Sequence, residues 1–265
     1  TLSSATPSSI SASGNVYTLG IGLSGAPDGS EVLTVVPVDN GIYDGAGNEA
    51  STTQSNNTAT LNDKAVPIIS TVALASNNAT IAVTFNEAVY NTTIGSGSLE
   101  ASDFSFSIIG GTATLSSATP SSISASGNVY TLGIGLSGTS SGSEVLTVVP
   151  VDNGIYDGSG NEASTTQSNN TATLNDKAVP TISSVTSTKT NGSYKVGEVI
   201  AITVTFSEEV TVTGTPQLTL ETGTIDAVVN YASGSGGTTL TFNYTVAAGE
   251  NSSDLDYAST TALAL

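Results

Sequence analysis

TLSSATPSSISASGNVYTLGIGLSG occupies residues 1–25 and returns unchanged as residues 114–138. The match runs on: residues 1–66 and 114–179 differ at only four of 66 positions, Ala26/Thr139, Pro27/Ser140, Asp28/Ser141 and Ala46/Ser159, and Pro67 and Pro180 extend it. Near-verbatim duplication at an offset of 113 residues is the mark of an array of domain-sized units. Within the repeated stretch Tyr17, Leu19, Ile21 and Leu23 alternate along one face, while Thr18, Gly20 and Gly22 leave the other nearly bare. That period of two is a half-buried strand. The bare face is expected to receive bulky neighbours or another backbone.

Working outward, residues 1–66 read as the C-terminal part of one repeat, 67–179 as a complete repeat, and 180–265 as a divergent repeat lacking its last strand. The chain reads as a window on a longer polypeptide. Strands are expected over residues 15–23, 31–38 and 51–61 of the first part. In the complete repeat they are expected over 68–75, 79–85, Phe104–Ile109, 113–115, 128–136, 144–151 and 164–174. The divergent repeat adds 216–221, 225–231 and 238–246, and residues 261–265 can begin a further strand. Its ITVTFSEEV (202–210) aligns with IAVTFNEAV (81–89), but it has no DGxGN segment. About seven short strands per 113 residues, with no helical periodicity, predict an all-β fold of tandem immunoglobulin-like β-sandwiches in an extended array.

Composition narrows the function. The chain of 265 residues carries 22 acidic residues against four lysines, a net charge of −18. Such a charge opposes binding to nucleic acid and to anionic lipid, and makes neighbouring units repel. No histidine or cysteine is present, which removes the common catalytic triads, disulfides and thiolate zinc sites. No enzyme activity is expected. Fourteen aromatic residues, nine Tyr and five Phe, fall mostly at strand period, as core residues do. Several Asn-x-Ser/Thr triplets occur, Asn78 and Asn169 among them, as a Thr/Asn-rich composition produces by chance.

The motifs carry a likeness. VTFNEAV and VTFSEEV at the strands, DGAGN and DGSGN at the turns, and LNDKAVP at the junctions resemble the tandem immunoglobulin-like domains of large bacterial surface and secreted adhesin-type proteins. The junction is similar to the interdomain segment of cadherins, where Asp and Asn precede a proline, although Lys64 follows Asn62-Asp63 here. The resemblance implies an extracellular or cell-surface bacterial location and calcium at domain boundaries.

Calcium takes six to eight oxygen ligands, several of them carboxylate. For the first boundary the candidates are Asp44 and Asn48 of DGAGN, Asp63 of the junction and Glu87 after the strand of the next unit. For the second they are Asp157, Asn161, Asp176, and Glu208 or Glu209. Asp, Asn and Gly in these positions also serve simply to make turns. The expected role is a structural segment of a stalk, filament or adhesin whose partners are adjacent repeats of the same chain. Lateral or strand-exchange self-association is a variant of that role. The alternative is a ligand- or glycan-binding module, for which Tyr231, Tyr244 and Tyr257 of the divergent repeat are candidates.

Overall fold

The structure, a computed structural model, describes residues 1–264. It is predominantly β and divides into two compact units, Thr1–Lys177 and Ala178–Leu265. In the first unit the strands are β1 (Ile10–Ser13), β2 (Val16–Leu19), β3 (Val32–Thr34), β4 (Thr58–Thr60), β5 (Ile69–Leu74), β6 (Thr80–Phe85) and β7 (Phe104–Ile109). They continue as β8 (Thr114–Leu115), β9 (Ile123–Ser126), β10 (Val129–Gly133), β11 (Leu136–Ser137), β12 (Val145–Pro150) and β13 (Thr171–Thr173).

The core of this unit lies wholly between Ile69 and Leu174. Strand β6 shows why: in TIAVTF the residues Ile81, Val83 and Phe85 are buried and alternate with half-buried Thr80, Ala82 and Thr84. That strand lies inside a four-stranded antiparallel sheet ordered β5-β6-β10-β9. A three-stranded sheet, β13-β12-β7, places Phe104, Phe106, Leu146 and Val148 into the same core. Phe85, Phe104 and Tyr130 meet there with ring centroids 5.9–6.3 Å apart.

The expected strands over 15–23, 31–38 and 51–61 are shorter than their pattern, forming strand only at Val16–Leu19, Val32–Thr34 and Thr58–Thr60, and two in the complete repeat depart from theirs as well. Residues 128–136 form two strands, because the chain leaves β6 at Gly133 and pairs with β8 from Leu136 onward. Residues 164–174 pair only at Thr171–Thr173. Before that, Gln167 Nε2 donates to the Ser164 carbonyl and Asn170 Nδ2 to the Val148 carbonyl, so side chains occupy backbone groups that a ladder would use. Strand β9 is an addition, joined to β10 through Gly127 at φ +58°.

The bare glycine face is not open. A Cβ on Gly20 would stand 2.3 Å from Ser9 Oγ, and one on Gly22 2.3 Å from Ser3 Oγ. Gly133 and Gly135 meet Ser121, Ser122 and Ser116 in the same way. The neighbours are therefore the chain's own serines, held by the Ser8 N–H to Gly20 carbonyl and Gly20 N–H to Ser9 carbonyl bonds.

The second unit contains β14 (Ile182–Ser187), β15 (Val199–Val210), β16 (Gln217–Glu221), β17 (Ala227–Ser233), β18 (Gly237–Thr245), β19 (Asp256–Tyr257) and β20 (Leu263–Ala264). The order is β14-β15-β18-β17-β16-β19, with β20 also on β16. Its core gathers Ile202, Val204, Leu218, Leu220, Leu240 and Phe242. The tail expectation over 261–265 is met by β20 as far as Ala264, and residue 265 lies outside the described residues.

Candidate metal centre

The DGSGN turn is organised by one carboxylate. Asp157 Oδ1 accepts the backbone N–H groups of Ser159 and Asn161, both at 2.8 Å, and Oδ2 accepts Asn161 Nδ2 at 2.7 Å. Gly160 supplies the positive φ, +84°, that closes the turn. The turn is stitched forward by mutual backbone bonds between Tyr156 and Tyr90, the latter in the segment after β6. A motif late in the repeat is thereby carried to the end at which the repeat begins.

That placement decides which acids meet. Carboxylate oxygens of Asp63, Glu87 and Asp157 lie within 4.8 Å of one another. Asp157 is fully buried, while Asp63 and Glu87 are half-buried. Asp63 is fixed from behind: its Oδ1 accepts the Ala65 N–H at 2.9 Å, and its Cβ packs over Gly29. The Lys64 and Ala65 N–H groups both bond to the Pro27 carbonyl. Lys64 itself is exposed.

The electrostatics are those of crowded like charges. Burial, then the neighbouring Asp157, and more weakly Asp63 and Asp28, hold the Glu87 carboxyl above its usual range against the opposing bond from Asn86. Asp28 had no place among the sequence candidates. The one signal for it was its status as one of only four positions at which the two copies differ, Ser141 being its counterpart.

The pairing expected at the first boundary is therefore corrected. Asp63 and Glu87 meet Asp157 and not Asp44. Asp44 is exposed and turns inward on its own loop, accepting from the Ala46 and Asn48 N–H groups and from Asn48 Nδ2. Those bonds, Asn48 foremost, hold its carboxyl below the usual range. Asn161 is engaged with Asp157 in the same fashion. At the second boundary, Asp157 belongs to the first-boundary cluster. Asp176 is exposed and packs over Gly142, while Glu208 and Glu209 lie on β15 of the second unit.

The donor set is all hard oxygen with three carboxylates, which suits calcium or magnesium and offers nothing to thiophilic metals. Each oxygen that accepts an N–H retains a second lone pair for a cation. In the second unit, Tyr244 and Tyr231 pack into the core, Tyr231 edge-on to Phe242, while Tyr257 is 41% exposed. Tyr257 borders an open groove of about 590 Å³ together with Lys189, Tyr194, Tyr244, Glu250 and Asp254. Tyr244 donates to Glu250 Oε2 at 2.6 Å, and burial with that bond pushes its hydroxyl up to about 12.

No family model, curated protein or solved structure matches the chain.

Proposed function

We propose that this chain is a non-catalytic structural segment of an extracellular bacterial stalk, filament or adhesin, built of tandem immunoglobulin-like β-sandwiches and stiffened by calcium between repeats. The observation that carries the reading is the convergence of Asp63, Glu87 and Asp157. One belongs to the junction, one to the segment just after β6 of the complete repeat and one to its DGSGN turn. A divalent cation held by all three ties the end of one repeat to the beginning of the next. It also offsets the repulsion that raises the Glu87 pKa. Bound calcium would be completed by backbone carbonyls and water to its usual six to eight oxygens.

The duplicated sequence supports the same reading, since an array sets its length by copy number and needs no chemistry beyond folding and connection. Calcium titration by calorimetry, on the wild type and on Asp63→Asn and Glu87→Gln, tests it. A calcium-dependent gain in melting temperature, lost in both variants, is the expected result. Equal calcium response in all three proteins would sink the assignment.

A second reading, a binding module, rests on the groove bordered by Tyr194 and Tyr257 in the second unit. An exposed Tyr257 and a half-buried Tyr194 beside polar groups suit a glycan, and a carbohydrate array that retains the chain only when Tyr257 is intact would favour it.

A further inference from the structure

The complete repeat begins with β5 and ends with β13, and these two strands lie side by side with no ladder between them. Strand β5 is the edge of one sheet and β13 the edge of the other. Among the described residues no backbone N–H to carbonyl bond joins the two. Side-chain carboxamides take the place of such bonds at both ends. At the start of β5, Gln167 Oε1 accepts the Ile69 N–H at 2.9 Å, and Gln167 Nε2 is held on the Ser164 carbonyl. Just past the end of β5, the Asn78 carboxamide pairs with the Asn175 backbone as a neighbouring strand would. Its Nδ2 donates to the Asn175 carbonyl at 2.7 Å, and its Oδ1 accepts the Asn175 N–H at 2.9 Å. Asn175 Nδ2 donates in turn to the Ala75 carbonyl at 3.1 Å, and Ser140 Oγ donates to the Asn175 carbonyl at 2.7 Å. Asn78 is only 3% exposed, so water does not compete for these bonds. Between the two clasps, Val72 and Leu74 of β5 and Ala172 of β13 pack on the shared core.

The placement of the clasps fixes how the repeat meets a load. Ile69 meets Gln167 and Ala75 meets Asn175, so the two terminal strands run in the same direction. The chain enters the repeat beside the Gln167 clasp, at Pro67, and leaves it beside the Asn78 clasp, at Asp176. Tension on those ends slides β5 past β13 and strains both clasps together. A load applied across the repeat bypasses them. We propose that the Gln167 and Asn78 clasps form a mechanical lock, by which the complete repeat resists tension applied along the chain. The lock rests on the stalk reading, because a stalk is what places load on both ends of a repeat. Forced unfolding is governed by the unfolding rate, and bonds made in the native state but lost in the transition state slow that rate most. The lock is built of neutral amides and one hydroxyl, and no member of the acidic cluster belongs to it. Its strength is therefore independent of calcium.

Single-molecule pulling on the whole chain tests the lock. The chain has no cysteine, so an introduced cysteine pair defines where force is applied. Val66→Cys with Val179→Cys, both exposed, loads the two ends of the complete repeat. Ser126→Cys with Ile109→Cys, also both exposed, loads it from sheet to sheet. At equal force, unfolding should be slower along the first axis than along the second. Asn78→Ala should speed unfolding roughly tenfold along the first axis and much less along the second. Gln167→Leu should act in the same direction on the same axis. A variant that merely weakens the fold moves both axes alike, so the second axis is the control for stability. Equal unfolding rates along the two axes without the variants would overturn the proposal. So would variants that speed unfolding equally along both. The Asn78→Ala effect should persist in excess chelator, and its disappearance there would also overturn the lock. Absence of a calcium-dependent melting shift refutes the cation bridge alone, because it leaves these rates unchanged.

Discussion

Glu144 offers a test in which the chain supplies its own control. Its carboxylate has no accessible surface. Oε1 accepts N–H groups from Thr112 at 2.7 Å and Ala113 at 3.0 Å, and the Ser141 N–H reaches both oxygens at 3.0–3.1 Å. Gly111 admits the carboxylate, since a Cβ there would stand 2.1 Å from Glu144 Cδ. Burial alone would raise the Glu144 pKa, but the N–H groups of Ala113, Ser141 and Thr112 outweigh it and bring the value from 4.5 to about 2. Taken at face value, a shift of that size corresponds to ~3 kcal/mol. The covering layer is thin, so solvent screens part of it and ~2 kcal/mol is the better figure. The sign follows from linkage. A carboxyl with a depressed folded pKa contributes its full stability above about pH 4.5, its unfolded value, and loses it as pH falls through about 2.

Glu144→Gln removes the charge, and its amide nitrogen brings a donor among donors. The expected loss is ~2 kcal/mol at pH 7, shrinking toward pH 2. Glu31→Gln, at the same place in the repeat but half-exposed and, among the described residues, accepting from Asp28 alone, should change stability by less than ~0.5 kcal/mol. Amide exchange within β10 and β12 reads the complete repeat separately from the second unit. Equal effects of the two substitutions, or a Glu144→Gln loss that stays constant from pH 7 to pH 2, would refute the reasoning.

Two further expectations concern the turns. Gly160→Ala should destabilise the complete repeat by more than Gly47→Ala destabilises anything. The two glycines have φ of +84° (Gly160) and +89° (Gly47), but a Cβ on Gly160 meets the Thr93 carbonyl oxygen at 2.5 Å, whereas one on Gly47 meets nothing within 4 Å. Thermal unfolding of the two variants, with a gap of ~1 kcal/mol or more, checks this. Asn78→Ala should cost ~2 kcal/mol, because the buried Asn78 side chain donates to Ser140 Oγ and the Asn175 carbonyl and accepts the Asn175 N–H, at φ +60°. For the same reason the Asn78 sequon is closed to glycan transfer in the folded protein, and occupancy at that site would contradict the observed hydrogen bonding.

Much was legible in the residues themselves. The period of two in TIAVTF and FSFSII named both the strands and the faces they bury, because a strand's alternation is local. The turns were legible too, since Asp44 and Asp157 bond within five residues of themselves. The duplication marked the units, but it also concealed their difference. Tyr17 and Tyr130 sit in identical sequence, and whether either is buried depends on strands more than 20 residues away in the chain, β6 and β7. Burial is a property of the partner surface, and a repeated sequence carries no record of which copy has one.

The acidic cluster divides in the same way. That Asp63, Glu87 and Asp157 are acidic, and stand at a junction, a strand end and a turn, was set by the sequence. That Asp157 and not Asp44 completes the group was decided by the path of the chain, which returns the late DGSGN turn to the segment after β6 through Tyr156 and Tyr90. Nineteen residues separate Asp44 from Asp63 and seventy separate Glu87 from Asp157. Proximity along the chain favoured the wrong partner, and only antiparallel return in three dimensions brings the right one within ligand distance.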